Sequence, residues 1–64
     1  MHYNLFDVIT LVQDIPEDGL SAGMMGTVID CYSKPFTAYE VEFCDDTGAT
    51  IATLALTPEQ IKHG

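Results

Sequence analysis

Thr37-Ala38-Tyr39-Glu40-Val41-Glu42-Phe43 alternates strictly: Tyr39, Val41 and Phe43 fall on one side of an extended chain, Glu40 and Glu42 on the other. Successive side chains of a strand point to opposite faces, so this is the pattern of a sheet with one buried and one wet side. Nowhere in the chain do apolar residues recur at helical spacing over a long stretch, and the fold class that follows is all-β.

The neighbouring segments extend that reading in both directions. Asp45-Asp46-Thr47-Gly48 has the chemistry of a tight hairpin, with Asp at early turn positions and Gly at the left-handed position that closes it. A fourth strand then runs from Ala49 to Leu56. Upstream, Ser33-Lys34-Pro35 turns the chain between a second strand, Gly26–Tyr32, and the third, Thr37–Phe43. The first strand is expected over Leu5–Val12, rich in β-branched residues and stopped by Pro16 and Gly19. Between the first two strands lies a long glycine-containing loop, which Leu20 is expected to plug into the core. Thr57-Pro58-Glu59-Gln60 reads as a helical turn, with Thr57 as N-cap, Pro58 at the first helical position and Gln60 completing a capping box. A short terminal strand follows around Ile61. The expected architecture is a single domain over residues 1–64: a small five-stranded SH3-like barrel, partly open, with one short 3-10 turn near the C-terminus.

Size and charge narrow what such a domain can do. The chain has 64 residues, 10 Asp and Glu against 2 Lys and Arg, and a net charge of −8. A domain this small buries only about 60% of its unfolded surface, which excludes a large enzyme with a deep cleft. At 47% hydrophobic and 19% charged residues it is too apolar for a disordered acidic tail. The field of so many carboxylates repels phosphates, so no nucleic acid and no anionic membrane surface is expected as a partner, whereas a basic protein is. The N-terminal residues lack both a basic and an apolar leader region, and a cytoplasmic location is the expectation.

Asp7-Val8, Leu11, Asp14-Ile15-Pro16, Gly19-Leu20, Gly23, Gly26-Thr27-Val28, Tyr39-Glu40-Val41-Glu42-Phe43 and Asp46-Thr47-Gly48 together resemble the DUF4926 family of small bacterial proteins. The resemblance extends over nearly the whole chain, through Leu54, Leu56 and Gln60. It implies an SH3-like fold and a paired-protein role, since members are typically stand-alone acidic chains, some beside a second small gene. It supplies no catalytic residue, and Cys31 and Cys44 depart from its pattern.

Several motifs invite chemistry, and each has a plainer reading. Asp46-Thr47-Gly48-Ala49 matches an aspartic-protease signature, but that active site needs two such loops around a shared proton, and turn chemistry accounts for every residue here. Asp14, Glu17, Asp18, Asp45 and Asp46 are hard-cation ligands by type, without the spacing of a calcium loop. If the chain turns near Lys34-Pro35, paired positions sum to about 69 or 70 and Cys44 lies opposite Met25 or Gly26. That is ~20 Å from Cys31 at the rise of a strand, so free thiols are expected rather than a disulfide. His2 and His63 lie at opposite ends of the chain with no close-spaced Cys or His pair, so zinc and Cys-His catalysis are disfavoured, and His63 is expected to be a frayed surface residue. Gly26-Thr27-Val28 resembles the KOW element of RNA-binding barrels, whose basic surface this chain lacks. No metal, no cofactor and no catalytic residue is expected.

Two surfaces remain as candidates. An acidic face of Asp14, Glu17, Asp18, Glu40, Glu42, Asp45 and Asp46 suits a basic protein partner that the chain inhibits or stabilises in the manner of an antitoxin or immunity protein, or serves only solubility. The fourth strand is apolar on both sides, and a barrel has one interior. Either the barrel curls to bury both, or Met24, Met25, Phe36, Leu54 and Leu56 leave an apolar interface, including one for homo-oligomerisation. The alternative function is an accessory subunit that completes an active site on a larger enzyme.

Overall fold

The structure, a computed structural model, describes residues 2–64. Five strands, β1 (Val8–Leu11), β2 (Met25–Tyr32), β3 (Ala38–Cys44), β4 (Thr50–Leu56) and β5 (Ile61–His63), form one antiparallel sheet in the order β4-β3-β2-β1-β5. The first and last strands of the chain thus lie side by side, and the sheet curls into the expected SH3-like barrel. Two irregularities bend it, one in β2 between Val28 and Asp30 and one where β4 passes Phe43 and Cys44. Each inserts an extra residue on one strand, Ile29 and Ile51, which sharpens local twist and leaves that side chain outside.

The strand of clearest alternation is the centre of the core. Tyr39, Val41 and Phe43 are buried, Val41 and Phe43 completely, together with Ile9, Leu11, Val28, Leu56 and Ile61 from the other strands. Leu20 plugs the long loop into this cluster, held by reciprocal backbone bonds between Ile15 and Leu20 (2.9 and 3.1 Å). Gly26 is required for space: a Cβ there would lie 2.7 Å from Val41 Cγ1 and 2.9 Å from the Glu42 carbonyl oxygen. The hairpin register is as expected, with Cys31 paired to Tyr39 and Gly26 to Phe43, and Cys31 and Cys44 are free, exposed thiols.

Four expectations need correction. The first strand begins at Val8, because Asn4–Asp7 forms a turn in which Phe6 has φ +71°. The Asp7 carboxylate accepts the Asn4 N–H (2.9 Å) and the Asn4 carbonyl accepts the Asp7 N–H (3.1 Å), so local bonds outcompete extension. A second 3-10 turn exists, Pro16–Asp18, started by Pro16 and closed by Gly19 at φ +71°. On β4, alternation turns Ala52, Leu54 and Leu56 inward; Leu56 is only 1% exposed and belongs to the core, not to an interface. Finally, His63 is no frayed end: it pairs with Ile9 in β5, and its ring lies 4.5 Å from that of Tyr3.

The C-terminal 3-10 turn, Pro58–Gln60, leads from β4 into β5, and the Gln60 side-chain oxygen accepts the Thr57 N–H (2.9 Å) as a capping partner does. Across the barrel, Tyr3 ties the N-terminal segment down. Its ring meets Tyr39 edge-on at 5.2 Å, and its hydroxyl donates to the Ile61 carbonyl (3.3 Å).

Candidate functional site

The topology divides the seven candidate carboxylates into two groups. The β1–β2 loop and the β3–β4 hairpin leave the same end of the sheet, which puts Asp14, Glu17, Asp18, Asp45 and Asp46 at one rim. Glu40 and Glu42 instead stand on the outer face of β3, because alternation sends them opposite to Tyr39, Val41 and Phe43. The seven are therefore divided between a rim and an outer face.

Within the rim the carboxylates differ in what they do. Asp45 Oδ1 accepts the Thr47 hydroxyl (2.7 Å), the Thr47 N–H (2.8 Å) and the Ala49 N–H (3.1 Å). These bonds, that from the Thr47 hydroxyl foremost, hold the Asp45 carboxyl below the usual carboxylate range. Asp45 is thus the anchor of its own hairpin, and the protease-like reading of the adjoining Asp46-Thr47-Gly48 gives way to a turn in which Gly48 takes φ +86°. Asp14 likewise closes the long loop by accepting the Ala22 N–H (2.9 Å). Glu17, Asp18 and Asp46 are exposed, and their side chains accept no hydrogen bond among the described residues.

On the outer face, Glu42 accepts the Thr50 hydroxyl (2.9 Å) and Glu40 the Tyr32 hydroxyl (3.2 Å). Glu40 sits directly opposite Asp30 across the β2–β3 ladder, an arrangement of like charges that costs stability. Partial desolvation, the bond to Glu40 and the charges of Glu40 and Asp30 together push the Tyr32 hydroxyl above its ordinary pKa. Beside it an open groove of about 430 Å³ is walled by His2, Tyr3, Cys31, Tyr32, Ser33, Thr37 and Tyr39. Among the described residues no three His, Cys, Asp or Glu side chains gather as a metal-binding cluster.

The apolar candidates also separate. Met25 and Phe36 are exposed at 56% and 60%, while Met24 and Leu54 are half-buried against the core. Met25 lies at the rim end of the sheet and Phe36 in the connection at the other end, so they form no common patch with each other. Sequence reasoning missed Leu5, Phe6, Val8 and Ile29, all exposed. The signal was present in Asn4 and Asp7, a turn-forming pair bracketing two apolar residues, but a run of apolar residues reads more readily as a strand.

These observations define a class: a small all-β barrel with an acidic rim, further acidic residues, Asp30, Glu40 and Glu42, on its outer face and several exposed apolar side chains. The chain belongs to the family described as Domain of unknown function (DUF4926), whose model matches residues 5–63. No curated protein matches the chain, and no solved structure does. No helix among the described residues is long and apolar enough to cross a membrane.

Proposed function

We propose that this chain is a non-catalytic protein-binding module whose carboxylates dock a basic protein partner, inhibiting or stabilising it as an antitoxin or immunity protein does. The observation that carries this reading is the exposure of Glu17, Asp18 and Asp46 without internal partners, in a chain holding only Lys34 and Lys62 to balance 10 acidic residues. Charge left at a rim in this way steers an oppositely charged protein toward it and makes association fast and salt-sensitive. The remaining carboxylates support the reading indirectly. Asp14 and Asp45 shape the two loops, and thereby set where the free charges stand.

The test is capture from the lysate of the host at low and raised salt, followed by titration of the purified captured protein. The reading predicts one basic protein, lost as salt rises and bound more slowly by the charge-reversed Glu17→Lys, Asp18→Lys chain. Binding that ignores both salt and charge reversal contradicts it.

A further inference from the structure

The outward side chains of β1 and β2 are uncharged up to the irregularity in β2: Val8 and Thr10 on one strand, Met25, Thr27 and Ile29 on the other. Val8 pairs with Thr27 and Thr10 with Met25, so these residues form a ladder on one face. A dimple of about 130 Å³ on that face is walled by Val8, Met25 and Thr27 together with Glu42 and Cys44 of the next strand. Single exposed apolar residues are ordinary on a protein surface; a connected strip of them on a chain of charge −8 is not.

At one end of the strip stands the Asn4–Asp7 turn. It is joined to β2 by the Phe6 N–H, which donates to the Val28 carbonyl at 2.6 Å. Leu5 and Phe6 are 51% and 75% exposed, and Phe6 holds φ +71°. A bulky side chain in the left-handed region costs about 1–2 kcal/mol, and glycine or asparagine would occupy it more cheaply. An exposed phenylalanine at such a position gains nothing for the fold, and strain of this kind collects where a surface is used.

The strip is bordered on the β5 side by Lys62, opposite Thr10, and on the β3 side by carboxylates, which outnumber it and identify the occupant. Glu42 lies opposite Thr27 and Glu40 opposite Asp30, so carboxylates run along the β3 side. A second copy of the chain would bring another eight negative charges against them. We propose that the outer face of β1 and β2, ending in Leu5 and Phe6, docks an amphipathic basic segment of the partner. Its apolar side chains cover Phe6, Val8, Met25 and Ile29, and its Lys or Arg side chains meet Glu40 and Glu42. This rests on the reading of the chain as a module for a basic partner, and adds where the partner sits and what chemistry it presents.

The probe is a synthetic helical peptide with leucine on one face and lysine on the other, titrated into the isotope-labelled protein while backbone amide signals are followed. The expected result is shifts at Phe6, Val8, Thr27 and Ile29, with affinity reduced about tenfold by Phe6→Gly, the loss typical of an aromatic anchor. Phe6→Gly should unfold no earlier in denaturant than the unsubstituted chain. Val8→Thr, which keeps strand propensity, should also weaken binding, and Glu42→Gln should reduce its salt dependence. Shifts confined to Glu17, Asp18 and Asp46, with affinity indifferent to Phe6→Gly, would overturn the strip and leave the acidic-module reading standing. A peptide that binds nowhere at low salt overturns the strip as well, while capture of a salt-sensitive basic protein would still uphold the module. Concentration-dependent shifts of the strip without peptide, with sedimentation as a dimer, would show a second copy as the occupant and overturn the basic partner.

Discussion

Among the turns that place a residue in the left-handed region, two do it with opposite kinds of side chain. The β3–β4 hairpin uses Gly48 at φ +86°, with Asp45 accepting three hydrogen bonds to close the turn around it. The Asn4–Asp7 turn uses Phe6 at φ +71°, three-quarters exposed, and is joined to β2 by two backbone bonds, from the Phe6 N–H to the Val28 carbonyl and from the Val28 N–H to the Asp7 carbonyl. In the first, Asp45, Thr47 and Gly48 serve the fold and Asp46 is left exposed beside them. In the second, the most exposed large apolar side chain of the described residues occupies a position that a smaller residue would fill more favourably. The difference separates a turn explained by stability from one explained by what it presents to a partner.

The contrast is sharpest between two phenylalanines. Phe43 is completely buried, so Phe43→Ala should cost about 4 kcal/mol, enough to unfold a domain of this size, whereas Phe6→Ala should be close to neutral; urea denaturation of both chains checks it. Next in size is Gly26→Ala, where the glycine is needed for space: a new methyl group against Val41 and the Glu42 carbonyl should cost about 2 kcal/mol by the same measurement. Gly48→Ala, where the glycine is needed for its φ and nothing crowds the site, should cost about 1 kcal/mol. Equal losses for Gly26→Ala and Phe6→Ala would break the distinction between packing and presentation.

Acid should distinguish the hairpin in another way. Hydrogen bonds depress the Asp45 pKa in the folded chain, so the unfolded chain binds the proton more readily. The stability this group supplies is then complete above the unfolded value, ~4, and is lost as pH falls through the lower folded value. Asp45→Asn should therefore unfold at lower denaturant concentration than the unsubstituted chain near neutral pH, and the gap should close in acid. A gap that stays constant with pH would remove the carboxylate from its role as anchor.

Much of the barrel was legible where one physical signal acted alone. The alternation of Tyr39, Val41 and Phe43 against Glu40 and Glu42 identified the central strand, and Leu20 stood out as the large apolar residue between Gly19 and Gly23. Legibility failed where two signals competed. In Leu5-Phe6-Asp7-Val8 the apolar run outweighed the turn chemistry of Asn4 and Asp7. In β4 both faces are apolar, so pattern could not choose between Ile51 and Leu56; pairing of Ala52 with buried Phe43 fixed which set faces in, leaving Leu56 in the core and Ile51 outside. The acidic candidates were legible as residues but not as a surface. Whether Asp45 and Asp46 share a face with Glu40 and Glu42 depends on where β3 ends, and adjacent charges in sequence say nothing of that. His63 was misread because proximity to Gly64 suggested fraying, while its pairing with Ile9 spans nearly the whole chain.

The most direct measurement is the urea midpoint of Phe6→Gly beside that of the unsubstituted chain. Relief of the left-handed strain, less the greater freedom of glycine in the unfolded chain, should leave the variant about 0.5 kcal/mol more stable. A loss of 1 kcal/mol or more, on the order of a buried methylene, would show that Phe6 packs for the fold and would contradict its assignment as an exposed anchor for a partner.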